Sequence, residues 1–284
     1  TPRPLSTFPA GPGTTPAEEP RFDAQTNIVG TINVLEQCRR LRVERVIYTA
    51  SGGTCYGERR AASHEETPLA PVSPYGISKA AGESYVRCFS EVTAIPTVSL
   101  RLANVYGPRQ FSQGESNVIA IFLRRLCQGQ PLTICGDGEQ TRDFLHVDDA
   151  VRALSAVLTA DVDHQFTPLN TGSGIPSTVN QIAARTSAAF REWQISCGAT
   201  PCDVPVTRFD PRPGELRHCA LNCDRIRSLT GWAAEIALAQ GIDETAHWFA
   251  SRLTVEDLHP QLKLPEQPVG EQVRSCRPPS GHCD

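Results

Sequence analysis

The sequence predicts an α/β protein built on a parallel sheet, and three observations carry that prediction. Two short runs rich in β-branched and apolar residues, 43–50 and 96–104, are each preceded by a stretch with apolar residues at helical spacing. Helix, strand, helix, strand at this spacing implies crossover connections and hence parallel strands. The 284 residues, 39% hydrophobic and 20% charged, suffice for one large domain or two small ones with a core.

Residues 1–20 hold six prolines and few large apolar side chains, so burial cannot repay the entropy of ordering them and a disordered leader is expected. Over 22–41 the residues Phe22, Ile28, Val29, Ile32, Val34 and Leu35 recur at helical spacing, and Arg39, Arg40 and Arg42 close the segment where cations suit the helix dipole. The strand at 43–50 runs into a glycine turn, Ser51-Gly52-Gly53-Thr54. A helix is predicted from Pro74 through Phe89, then the strand 96–104. Beyond Gly107-Pro108 come a helix at 118–128, a strand at 132–135, a turn at Gly136-Asp137-Gly138, a strand at 144–147 and a helix whose amino end Asp148 and Asp149 suit by capping and charge. Further helices are predicted at 179–190, capped by Ser177 or Thr178, and at 237–252 with Trp248 and Phe249 on its inner face. From Pro260 the chain is again Pro-rich and polar, and a tail is expected.

Composition excludes several classes. A net charge of −4 argues against a nucleic-acid partner, which needs a basic surface. No window reaches the roughly 18 apolar residues of a membrane span and no secretory signal opens the chain, so a cytoplasmic location is expected. Methionine is absent, even at position 1, which leads to the expectation that an amino-terminal segment is missing. The eleven cysteines are scattered and odd in number, unlike a disulfide framework. Cys219 with Cys223 and Cys197 with Cys202 could pair as ligands, but no histidine set at zinc-finger spacing accompanies them, and no metal is expected. Of 27 basic residues only Lys79 and Lys263 are lysine.

Lys79 stands in Ser73-Pro74-Tyr75-Gly76-Ile77-Ser78-Lys79, four residues after Tyr75 at a helix start, which puts both side chains on one face. A phenol is a poor base at neutral pH, but a nearby ammonium beside a cationic cofactor stabilises the phenolate. A compact ammonium can also donate to ribose hydroxyls, which a guanidinium does less well. About 24 residues upstream lies the hydroxyl-bearing strand end Thr49-Ala50-Ser51-Gly52-Gly53-Thr54-Cys55-Tyr56-Gly57. Downstream follow Arg101-Leu102-Ala103-Asn104-Val105-Tyr106-Gly107-Pro108-Arg109 and the run from Gly136 through Arg142-Asp143 to His146 and Asp148-Asp149.

These blocks, in this order over roughly residues 21–250, resemble the extended short-chain dehydrogenase/reductases, the NAD-dependent epimerase/dehydratases of nucleotide sugars, and most closely the UDP-glucose 4-epimerases. The resemblance implies a Rossmann-like parallel sheet lacking its first strands, at 21–110 and 139–175, with a smaller α/β nucleotide-sugar-binding subdomain at 111–138 and 176–259, a disordered leader at 1–20 and a disordered tail at 260–284. It implies NAD as cofactor, a UDP-sugar as substrate, and a homodimer formed through the helices after Phe22 and Tyr75. Tyr75 would take the sugar O4 proton, and Lys79 would hold the nicotinamide ribose and lower the tyrosine pKa. Relatives carry a serine or threonine where Gly52 stands, so Ser51 and Thr54 are both candidates to complete the catalytic set. Asn27, Thr49, Ser51, Tyr75 and Lys79 would border the cofactor. Asn104 and Asn117 would lie near the diphosphate, Arg142 and Arg212 on it and Glu215 on a ribose diol, in keeping with forked arginines for phosphate and a carboxylate for a vicinal diol. The alternative for Arg142 is a local ion pair with Asp143. Cys219 falls near the sugar N-acetyl position, so a hexosamine substrate is admitted.

A dinucleotide also needs a glycine-rich turn after a first strand and an acidic residue about 20 positions on, and Gly11-Pro12-Gly13 in the leader does not supply it. The expected activity is therefore UDP-glucose/UDP-galactose 4-epimerisation by transient C4 oxidation, in an amino-terminally truncated chain. Another nucleotide-sugar epimerase, a decarboxylase, a dehydratase or a non-catalytic homologue are the alternatives. A dehydratase would want an Asp-Glu pair where Gly52-Gly53 stand.

Overall fold

The computed structural model describes residues 20–110, 118–162, 166–201, 203–212 and 214–252. The expected leader and tail, and Asn117, Cys202 and Lys263, therefore lie outside the described residues, apart from Pro20, which opens the first helix.

The predicted first helix is interrupted. Helix α1 (Pro20–Ala24) passes through a π-helical turn (Gln25–Val29) into α2 (Gly30–Leu41). The wider turn rotates the first residues relative to the apolar periodicity read from the sequence. Asp23, Asn27, Thr31, Leu35 and Cys38 face inward, whereas Phe22 and Val29, expected inside, are 38% and 49% exposed. Arg42, at φ 49°, ends α2 with its N–H on the Cys38 and Arg39 carbonyls.

Strand β1 (Val46–Ser51) pairs in parallel with β2 (Thr97–Leu102), and β2 with β6 (Phe166–Thr171), placing Val46 opposite Thr97 and Thr97 opposite Phe166. The crossover between β1 and β2 is α4 (Pro74–Thr93), opened by Pro74 after the Ser73 hydroxyl, which accepts the Gly76 N–H. A four-residue helix, α3 (Gly52–Cys55), leaves the end of β1. Both sheet faces are covered, which is why the strands read as nearly continuous apolar runs. On one side Val46, Tyr48 and Ala50 pack with Leu35, Cys38 and Val86. On the other, Ile47, Val98, Leu100 and Leu169 meet Ala153 and Val157 of α6 (Val147–Thr159).

The predicted strand 96–104 belongs to two sheets. After Ala103, whose N–H still reaches Thr171 O, the chain forms β3 (Asn104–Tyr106), parallel to β5 (Thr141–His146), which pairs antiparallel with β7 (Pro176–Thr178). A third pair, β4 (Leu132–Cys135) with β8 (Val206–Phe209), is also parallel. Helices α5 (Val118–Cys127), α7 (Val179–Ser196) and α9 (Leu238–Ala250) close a second core around Phe122, Leu126, Ile182, Phe190, Trp193 and Ile242. A short helix, α8 (Asp224–Thr230), precedes α9.

Two local expectations are corrected. His146, not an aspartate, caps α6: its Nδ1 accepts the Asp148 N–H, while Asp149 is fully buried and accepts the N–H groups of Glu235 and Ile236 as well as the Arg152 guanidinium. In α9 the inward face is Ile242, Ala246 and Ala250 with Phe249 beside them, whereas Trp248 turns its ring to the Arg252 cation. Thr178 caps α7 as expected, in a reciprocal box with Gln181. The eight described cysteines are free thiols, and no described helix is long and apolar enough to cross a membrane.

Candidate active site

The carboxyl end of β1 and the amino end of α4 meet, and they bring together the residues that the sequence singled out. Thr54 donates its hydroxyl to Ser51 Oγ at 2.8 Å, and Ser51 in turn hydrogen-bonds the Tyr75 hydroxyl. Both of the candidate hydroxyls therefore belong to one chain of donors that ends on the phenol. Gly52 lies between them because a Cβ there would stand 2.6 Å from Arg101 O and 2.7 Å from the Leu221 side chain. Lys79, one turn along α4 and only 2% exposed, donates its Nζ to Thr49 O at 2.5 Å and lies 4.6 Å from the centre of the Tyr48 ring. Thr49 thus enters the site through its backbone carbonyl.

Burial dominates the electrostatics of the pair. Burial pushes the Tyr75 phenol up to about 12, further helped by the Asp23 carboxylate, and only the Ser51 hydrogen bond opposes this. Desolvation draws the Lys79 ammonium down to about 8 against the upward pull of Glu83, while its Nζ donates to Thr49 O.

Asn27 reaches the same helix from the π turn. Its Nδ2 donates to Ser78 Oγ at 3.0 Å and Ser78 donates to Tyr75 O, so the asparagine braces the segment between Tyr75 and Lys79. Gly82 lets the helices approach: a Cβ there would lie 2.6 Å from both Asn27 O and the Tyr48 hydroxyl.

Across the Gly52-Gly53 turn stand the residues assigned to the substrate. Cys219 is buried with its thiol on Gly53 O at 3.4 Å, and burial pushes that thiol up to about 11 although Arg142 draws it down. Asn104 rests against Gly53 and donates Nδ2 to Asp143 O at 3.1 Å. Arg142 pairs with Glu215 at 3.4 Å, both half-buried. A local Arg142–Asp143 ion pair is overturned, because Asp143 is fully buried and accepts Ser173 N, Ser173 Oγ and Gly174 N. Arg212 is exposed at the start of the same turn, where its carbonyl accepts the Glu215 N–H. Asn117 lies outside the described residues.

The segment carrying Cys219 is pinned by groups that sequence reasoning missed. Glu58 accepts the N–H groups of Arg217 and His218. Ser63 exchanges backbone bonds with Ala220 and Asn222. Beneath them Arg101 forks onto Glu83 and donates to the Tyr56 hydroxyl and Glu65 O, and Tyr56 donates to Asn170 Oδ1. A charged residue in the middle of an otherwise apolar strand was the available signal for Arg101. A separate group, His146, Asp148 and Glu244, has ligand-type atoms within 4.8 Å of one another, but the His146 Nδ1 lone pair is already engaged as the cap of α6.

The donors fit the nicotinamide end of a dinucleotide. An ammonium carries three donors, of which Lys79 has committed one to Thr49 O, leaving two for a ribose beside the Tyr75 hydroxyl. Gly52-Gly53 at the end of β1 open only the four-residue helix α3, too short to offer its amino end to a diphosphate.

Residues 10–172 match the NAD dependent epimerase/dehydratase family. The chain is 36% identical over 237 residues to the UDP-glucose 4-epimerase of Mycolicibacterium smegmatis, covering 83% of this chain and 72% of that one. The chain belongs to the NAD dependent epimerase/dehydratase family. Among solved members, the Thermus thermophilus UDP-glucose 4-epimerase in complex with NAD superposes with a TM-score of 0.77 at 31% identity, over 86% of this chain and 76% of that one. The Thermotoga maritima UDP-glucose 4-epimerase with UDP-glucose gives 0.74 at 34% identity, over 82% and 72%. The family's fold, a Rossmann-like α/β sheet, is that of β1, β2 and β6 with α4 and α6.

Proposed function

We propose that this chain is the catalytic portion of an NAD-dependent UDP-hexose 4-epimerase of the UDP-glucose/UDP-galactose type. The observation that carries the reading is the hydroxyl chain from Thr54 through Ser51 to Tyr75, with Lys79 one turn away. Tyr75 Oη takes the proton of the sugar O4 hydroxyl and returns it after inversion. Ser51 orients the Tyr75 hydroxyl, and Thr54 orients Ser51. Bound NAD supplies the hydride acceptor for C4 and the donor for its return. The two free donors of Lys79 hold the nicotinamide ribose, and Asn27 keeps the helix that bears both residues in register.

The substrate assignment follows from the facing wall. Arg142 and Arg212 receive the diphosphate, with Asn104 beside them and Asn117 from the neighbouring segment. Glu215, now paired with Arg142, accepts a ribose diol. Cys219 is small enough to admit an N-acetyl group at the sugar end, so UDP-N-acetylhexosamines join the candidate substrates. In this reading β1, β2 and β6 with α4 and α6 form the nucleotide domain, at 21–110 and 139–175, and β4, β8, α5 and α7 belong to the sugar-binding subdomain. Tyr85 and Val92 of α4, with Ile77 and Val29, present exposed apolar surface, and we assign it to a homodimer of paired helices.

Dehydration is the weaker reading, because its acid would have to replace Gly52, where a Cβ meets Arg101 O at 2.6 Å. The deciding experiment supplies UDP-galactose and NAD to the purified protein and follows UDP-glucose with a coupled dehydrogenase. Formation of UDP-glucose is expected. A 4-keto-6-deoxy product instead would reassign the chain to the dehydratases.

A further inference from the structure

Tyr75, Lys79 and Glu83 repeat at intervals of four along one face of α4, and Lys79 and Glu83 are buried at 2% and 4% exposure. Glu83 does not touch Lys79. Its carboxylate is held instead by the Arg101 fork, at 2.5 to 3.2 Å, and by the Ser99 hydroxyl at 2.9 Å. Arg101 spends its remaining donor atom on Tyr56 and Glu65, so every polar atom of the pair is satisfied. A buried ion pair of this quality is a weak source of stability, since well-packed apolar residues commonly do as well. Its placement one turn behind a buried ammonium points to another use.

We propose that Glu83 is a positioning residue for the Tyr75–Lys79 couple: its carboxylate, fixed by Arg101, keeps the buried Lys79 charged and its ammonium aimed at the mouth of the site. The proposal rests on the reading of Tyr75 and Lys79 as the working pair. The groups facing Lys79 are few: Tyr48 and Thr49 from β1 contact it, Glu83 lies behind it on α4, and Tyr75 lies ahead of it on the same helix, itself under the influence of Asp23 on α1. Of these only Glu83 supports the positive charge, and the Arg101 cation on β2 that holds its carboxylate offsets part of that support. Desolvation opposes the charge.

The chain has two lysines, so the test needs no crowded spectrum. With 13C- and 15N-labelled lysine, the side-chain signals of Lys79 and Lys263 are followed against pH and assigned with Lys79→Arg. Glu83→Gln is expected to lower the Lys79 midpoint by about one pH unit, the order of effect of an opposite charge in a low-dielectric site, and to leave Lys263 unmoved. Glu83→Asp, which keeps the charge, is expected to hold the midpoint near its original value. Tyr56→Phe perturbs the same buried network without touching a charge and is expected to leave it unchanged. Should Glu83→Gln not fold, Glu83→Leu with Arg101→Met removes both charges together, the replacement that buried pairs tolerate best, and is expected to lower the midpoint too. A Lys79 midpoint that stays within about 0.3 of the original in whichever variant folds, or that moves equally in Tyr56→Phe, overturns the proposal. Because the measurement reads a lysine and not turnover, this result is separate from the epimerase assay. Failure of that assay with a shifted midpoint discards the reaction, and turnover with a fixed midpoint discards Glu83.

Discussion

Burial pushes the Tyr75 phenol up to about 12 and the Ser51 hydroxyl pulls the other way, so the base role proposed for it would draw on the positive charge that bound NAD would bring beside it. Tyr75→Phe is expected to lower UDP-galactose turnover by about 10²- to 10⁴-fold, the usual share of a positioned acid–base group. Ser51→Ala is expected to lower it less, since Ser51 acts through the phenol. Initial rates at saturating sugar measure both. Lys79 makes a prediction about stability as well. Its pKa falls to about 8 on folding, so between about 8 and the ordinary value near 10.4 the unfolded chain binds more protons. The folded state gains stability as pH rises across that window and loses it as pH falls through about 8. At pH 7 the buried charge is therefore a net cost. Lys79→Met is expected to raise Tm at pH 7, by a margin that shrinks toward pH 10, while abolishing turnover. Calorimetry at the two pH values checks the sign.

At the scale of elements, local chemistry explains which parts could be read in advance. Helix α7 announced itself through a cap at Ser177 or Thr178, and the structure settles on Thr178 and adds Gln181, whose reciprocal bonds use two donors that a helix end leaves open. Thr178→Ala is expected to cost about 1 kcal/mol by urea denaturation. Strands β1 and β2 were legible because sheet faces covered on both sides demand continuous apolar runs. Strand β8 was not, since all four of its residues are exposed and its pairing with β4 is a backbone matter. Strand β6 was missed because Pro168, Asn170 and the flanking threonines lack an apolar pattern, although Asn170 is fully buried by its bonds to Ser63 O, Asn222 O and the Tyr56 hydroxyl. The hydroxyls of Ser51, Thr54 and Tyr75 and the Lys79 ammonium were visible as a motif. Glu58, Glu83 and Glu65 were not, because carboxylates that bind distant backbone or a distant arginine leave no trace in spacing.

For the whole molecule, four of the exposed apolar residues lie on α4 and on the π turn packed beside it. Val29 at 49%, Ile77 at 54%, Tyr85 at 48% and Val92 at 76% exposure are more than scattered surface residues explain when set on neighbouring helices. Light scattering after gel filtration is expected to give twice the 30.9 kDa chain mass, and Tyr85→Glu with Val92→Glu to give a monomer. A monomer in both cases removes the dimer. The α/β class was legible at this scale. The division of the 96–104 run between two sheets was not, because the break falls at Ala103, whose N–H still bonds Thr171 O while Asn104 already pairs with β5.

The π turn at Gln25–Val29 has a consequence for chain length. Such a turn is an α-helix with one residue too many, and each residue of an α-helix advances the rotational phase by about 100°. Removing a single residue between Ala24 and Asn27 would restore regular winding and keep α2 intact, yet swing Asp23 out toward solvent and bring a hydrophobic neighbour against the catalytic helix. Here an insertion does what a substitution ordinarily does, by choosing which side chain points inward.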